Sequence, residues 1–121
     1  MMLAGERPAL AKGVINFVGG WLSVSDKYSP ADNKLRLQTQ TDLLTRAAKR
    51  TAAPSVWIYA ARDPFYAETT TRGEFFRAWR EAGGQGEYHY IAEHKLPSGH
   101  TVASDVALWD DFVKRIDPAT P

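Results

Sequence analysis

The feature that most constrains this chain is the run Ser55-Val56-Trp57-Ile58-Tyr59-Ala60, apolar almost throughout and followed by the turn Arg62-Asp63-Pro64-Phe65-Tyr66. β-branched and aromatic side chains in a short run bounded by turn residues favour a strand. A strand apolar at successive positions has no side to offer to water. It belongs in the middle of a parallel sheet covered on both faces.

Two more strands can be read around it. Val14-Ile15-Asn16-Phe17-Val18 is β-branched and aromatic and lies between Gly13 and Gly19-Gly20, while Glu87-Tyr88-His89-Tyr90-Ile91 alternates. Residues 21–33 carry Ser, Asp, Pro and Asn and read as a loop. Residues 34–51 lack Gly and Pro, and Leu35, Leu43, Leu44, Ala47 and Ala48 form an apolar stripe. Asp32 or Asn33 would cap that helix, and Lys49 and Arg50 suit its C-terminal dipole. A second helix is expected over residues 68–82, with Phe75, Phe76 and Trp79 on one side and Gly83-Gly84 as its stop. A third is expected over residues 104–116, with Val106, Leu108, Trp109, Phe112, Val113 and Ile116 apolar. The order strand, helix, strand, helix, strand, helix predicts an α/β fold: a three-stranded parallel βαβαβα unit with right-handed crossovers. The 121 residues suit one domain, with no repeat or linker.

Composition narrows the chemistry. Fifteen Lys and Arg against fourteen Asp and Glu leave a net charge of +1, interspersed along the chain. That balance makes no electrostatic case for nucleic acid or an anionic membrane as partner. The absence of cysteine removes disulfides, thiolate catalysis and Cys-based zinc sites. The opening MMLAGERPALAKG lacks a signal-peptide layout, because Glu6, Arg7 and Pro8 interrupt any apolar run. No apolar stretch is long enough to span a bilayer, so the default expectation is a soluble cytoplasmic chain.

In open α/β sheets, function gathers at the carboxyl ends of the strands. Asp63 lies just past the second strand and His100 in the loop after the third. Neighbouring strands are only about 5 Å apart, so the two loops open onto one edge and the side chains can meet. A carboxylate that fixes an imidazole tautomer is the requirement of an Asp–His dyad. Taken alone, Asp63 before Pro64 also suits a plain turn. Trp21 and Tyr66 fall in loops at the same edge, where they would line a substrate pocket or pack on the surface. Ser23, Ser25 and Ser98 are the nearby hydroxyls, and none sits on a glycine-flanked strand-to-helix elbow. His89, His94 and His100 have no spacing that suits a metal, and Gly83-Gly84-Gln85-Gly86 follows a helix rather than a strand, unlike a phosphate loop.

The segment VWIYAARDPFY, a helix ending in WREAGG, a strand, PSGH and a helix containing LW together resemble the C-terminal half of an α/β-hydrolase, closest to the dienelactone-hydrolase-like group. GVINFVGGW resembles the strand that follows the nucleophile helix in that group. The resemblance spans about residues 12–116. It implies a serine hydrolase of esters or lactones, without a cofactor, in which Asp63 is the triad acid and His100 the base. The group's serine sits upstream on a G-x-S-x-G elbow, and no such motif occurs in this sequence. One oxyanion-hole amide goes with it. MMLAGERPALAKG looks like the tail of the helix that would follow the elbow.

Without upstream strands, residues 14–18 become a short, apolar edge with unpaired backbone groups and no protecting charge. Self-association, or a partner supplying the missing half, is therefore expected. The competing readings are a non-catalytic interaction module, a subunit of a split hydrolase, and a relic.

Overall fold

The structure is a computed structural model and describes residues 12–19, 22–66 and 73–115. The elements are β1 (Val14–Phe17), α1 (Pro30–Ala48), β2 (Ser55–Ala60), α2 (Phe75–Glu81), β3 (Gly86–Ile91), two 3-10 turns (Gly99–Ser104 and Val106–Leu108) and α3 (Asp110–Lys114). The apolar run takes the central place that its composition demands. β2 is buried along its whole length and pairs in parallel with β1 on one side and β3 on the other.

The sheet order β1-β2-β3 follows the chain, so right-handed crossovers put α1 and α2 on the same face, where they pack against each other. Trp57 marks that face: its ring lies 5.6 Å from Phe76 and 5.8 Å from Trp79. The buried hydroxyl at the start of β2 is satisfied, since Ser55 Oγ donates to the carbonyl of Gln85 at 2.7 Å and accepts from Trp57 Nε1 at 2.9 Å. The opposite face takes the chain's last described segment. Trp109 meets Phe17 edge-on at 4.9 Å, and Phe112 stacks on His89 at 3.7 Å.

Several boundaries differ from the sequence reading. α1 starts at Pro30, and its cap is Ser29 rather than Asp32 or Asn33. Ser29 Oγ accepts from the Asp32 amide at 3.1 Å and donates to Asp32 Oδ2 at 2.7 Å, with Pro30 in the first turn where its missing N–H does no harm. Asn33 instead clamps the preceding loop, its Nδ2 donating to the Ser25 carbonyl at 2.8 Å and its Oδ1 accepting from the Ser25 amide at 3.2 Å. The buried stripe of α1 is Gln40, Leu44, Ala47 and Ala48, whereas Leu35 is 68% exposed. Gln40 is a buried polar member of that stripe because it holds the loop after β1: Nε2 donates to the Leu22 carbonyl and Oε1 accepts from the Leu22 amide.

α2 closes as expected at Gly83, whose φ of +95° is open to glycine, with Gly83 and Gly84 amides returning to the carbonyls of Arg80 and Trp79. The single helix expected over 104–116 is replaced by the two 3-10 turns and the five-residue α3. The extended backbone of Asp105 (φ −112°, ψ 91°) interrupts helical propagation, and Trp109 (φ −138°) interrupts it again. The expected positions 68–72, Ile116 and the opening MMLAGERPALAKG, apart from its last two residues, lie outside the described residues.

Candidate active site

Three backbone devices bring Asp63 and His100 together at the carboxyl edge of the sheet. The first is at the end of β2. The Ala61 amide still bonds to the Ile91 carbonyl at 3.0 Å, and Arg62 then enters the left-handed region at φ +62°. This reverses the chain and aims Asp63 back across the sheet end. Secondly, the Phe65 amide donates to Asp63 Oδ1 at 2.8 Å, a local turn that fixes the carboxylate plane. The bond from the Val24 amide to the Phe65 carbonyl at 2.7 Å secures the same turn from the loop after β1.

The third device is the Pro97-Ser98-Gly99-His100 segment. Ser98 caps the first 3-10 turn by accepting from the His100 amide at 3.1 Å. Gly99 passes so close to the end of β2 that a Cβ there would sit 2.2 Å from the Ala61 carbonyl oxygen and 2.5 Å from that of Ala60. Its own amide donates to the Arg62 carbonyl at 3.3 Å. Val102, fully buried, anchors the turn beneath.

The outcome is a direct contact: His100 Nδ1 lies 3.1 Å from Asp63 Oδ2. The carboxylate divides its oxygens between two tasks, Oδ1 for the turn and Oδ2 for the imidazole. The Asp63 side chain is wholly buried, while that of His100 is 40% exposed. An acceptor facing Nδ1 places the neutral imidazole's proton on that nitrogen and leaves Nε2 as the free base. Among the described residues, nothing bonds to Nε2. The Phe65 ring lies 4.4 Å from the imidazole.

Tyr66 is 6% exposed and packs edge-on to Phe75 at 5.9 Å, with its ring 6.5 Å from His100. It backs the dyad from within the core rather than standing open at the edge. Burial, with the charge of Asp63 second, pushes its hydroxyl up to about 12. Trp21, the other aromatic expected at this edge, lies outside the described residues. Ser23 Oγ donates to Tyr28 Oη at 3.1 Å, Ser25 Oγ accepts from the Lys27 amide, and Ser98 Oγ serves its cap. The histidines are dispersed: His89 pairs with Glu87, and His94 contacts Arg62 and the Ala61 carbonyl. Among the described residues no group of three or more His, Asp or Glu is placed to hold a metal ion. No helix among them is long and apolar enough to cross a membrane.

Sequence reasoning missed Arg62 and His94, which tie the two loops together. Arg62 Nη2 donates to the carbonyls of His94 and Leu96 at 2.8 and 3.0 Å. The available signal was a long cationic side chain immediately before the candidate acid. No protein-family model matches the chain, and comparison with curated proteins and with solved structures finds no match either.

Proposed function

We propose that Asp63 and His100 are the acid and base of a serine-hydrolase triad acting on esters or lactones, of the dienelactone-hydrolase-like kind. The observation that carries this reading is the 3.1 Å contact between His100 Nδ1 and a buried carboxylate whose other oxygen is already fixed. The nucleophile and oxyanion hole come from a polypeptide segment outside these residues, since the sequence has no G-x-S-x-G elbow. These residues by themselves are therefore inactive.

In the completed site the serine hydroxyl attacks the acyl carbon as its proton passes to His100 Nε2. The Nδ1–H bond to Asp63 stabilises the imidazolium that results. Collapse of the tetrahedral adduct breaks the bond to the leaving oxygen, which takes the proton back from Nε2. Water then repeats the sequence on the acyl-enzyme, and the acid product leaves. A lactone follows the same steps, with the leaving alcohol still tethered.

The test is reconstitution. The chain is fused behind an elbow-bearing N-terminal half of a dienelactone-hydrolase-like enzyme, and hydrolysis of a p-nitrophenyl ester is followed. The expected result is turnover that falls by about three orders of magnitude or more in His100→Ala. Turnover indifferent to His100 would sink the reading.

A second reading, a non-catalytic interaction module or the subunit of a split hydrolase, is favoured by a different observation. The outer side of β1 has no paired strand among the described residues, and Ile15 in that strand is 41% exposed. Beside that strand, the buried Trp109 Nε1–H has no acceptor among them. A strand added at β1, from a second copy or another chain, would fill the edge, and its neighbouring segment would offer the indole a carbonyl.

A further inference from the structure

We infer that Arg62 and His94 form a latch that sets the position of His100, making both of them positioning residues for the dyad. The inference rests on the reading of Asp63 and His100 given above and extends it to residues that touch no substrate.

Arg62 adopts φ +62°, a conformation that disfavours any side chain and that glycine would take without penalty. What the arginine supplies in return is its guanidinium. Nη2 reaches across the sheet end to the His94 carbonyl at 2.8 Å, the Leu96 carbonyl at 3.0 Å and His94 Nδ1 at 3.1 Å. Its two hydrogens face three acceptors, so one is shared. The backbone of the same residue holds the far end of the loop, its carbonyl accepting from the Gly99 amide at 3.3 Å and from Ser98 Oγ at 3.5 Å. One residue thus grips the 92–99 loop in its middle and at its far end. The next residue in the chain is Asp63, and the residue after the grip is His100.

His94 completes the latch through its tautomer. A guanidinium has no acceptor, so Nδ1 of His94 must accept from it. The proton therefore sits on Nε2, which donates to the Ala61 carbonyl at 2.9 Å. His94 and His100 consequently hold opposite tautomers. The first is set by a cation and a carbonyl, the second by a carboxylate. Arg62 is solvent-exposed, so the latch acts through the number and direction of its bonds more than through Coulomb attraction. Direction is what the dyad needs, because a hydrogen bond weakens steeply as its angle closes.

Hydrogen exchange read by mass spectrometry tests this on the chain in whatever oligomeric state it adopts. Arg62→Gly keeps the turn and removes the guanidinium; His94→Phe keeps a ring and removes both nitrogens. Peptides over 92–100 are expected to exchange about ten-fold faster in each, the factor for loss of one charge-assisted hydrogen bond. Peptides over 55–60 should be unchanged. If Arg62→Gly also exposes 55–60, Arg62→Met is read in its place. Its side chain keeps an unbranched apolar stem but has no N–H to offer the two carbonyls and the imidazole, so it too must speed exchange at 92–100. Long-range 1H–15N spectra of histidine-labelled protein supply the second readout. In the wild-type chain the His100 proton belongs on Nδ1, and in the latch variants that population should fall. A wild-type His100 protonated on Nε2 would overturn the dyad and the latch together. A wild-type Nδ1–H that survives every variant, with exchange at 92–100 unaltered, would overturn the latch alone.

Discussion

Gly99 shows how the site depends on single atoms. No room exists for a side chain between the 3-10 turn and the Ala60 and Ala61 carbonyls, because the nearest contact of an added methyl would be 2.2 Å to backbone oxygen. Backbone cannot rotate aside as a side chain does. Gly99→Ala should therefore lose about 1–3 kcal/mol of stability, read from urea unfolding, and separate His100 from Asp63. Tyr66 gives a prediction in pH. Its hydroxyl is raised from 10.0 to about 12 in the folded chain, so the folded state holds a proton that the unfolded state has lost between those values. The contribution is complete below pH 10 and is lost as pH rises through about 12. Melting temperature should fall across that window, and Tyr66→Phe should make the fall shallower. A buried Tyr59, raised by desolvation, leaves part of the alkaline loss in place. At this scale the sequence was legible where chemistry and position coincide: an Asp after one strand and a Gly-His after the next. Arg62 and His94 were not legible, since their partners are backbone carbonyls of residues more than thirty positions away.

The elements were legible in kind more than in extent. β2 declared itself because every residue in it is apolar or, like Ser55, satisfied by a specific bond. α1 starts earlier than its Gly- and Pro-free stretch suggests, because Pro30 occupies the first turn, where it fits. Reading Leu35 as core followed from counting apolar residues; the face is set instead by Gln40, whose amide is consumed by Leu22. The last helix is shorter than its pattern suggests, because the apolar spacing of Val106, Trp109 and Phe112 suits a helix while the Asp105 backbone does not. The cap of α1 is testable: Ser29→Ala should lower stability by about 1 kcal/mol with little change in the cooperativity of unfolding. No change in the urea midpoint would mean that Ser29 caps nothing in solution.

The described residues form a small parallel sheet with helices on one face and a thinner cover of 3-10 turns and α3 on the other. The described residues leave the outer side of β1 unpaired beside an indole N–H without an acceptor, which costs about 1–3 kcal/mol when buried. The expectation is self-association through that edge at micromolar concentration, measured by light scattering. Ile15→Lys, which sets a charge at an exposed position of that edge strand, should weaken it. A monodisperse monomer in the unsubstituted chain would remove this proposal.

On the proposed reading Asp63 sets the tautomer of His100, so that Nε2 is free to act as a base. The most direct measurement is the long-range 1H–15N spectrum of the histidine-labelled chain, compared with that of Asp63→Asn. The His100 proton is expected on Nδ1 in the wild-type chain, with a loss or mixture of that form in the variant. A proton on Nε2 in the wild-type chain, or a spectrum indifferent to Asp63→Asn, would contradict it.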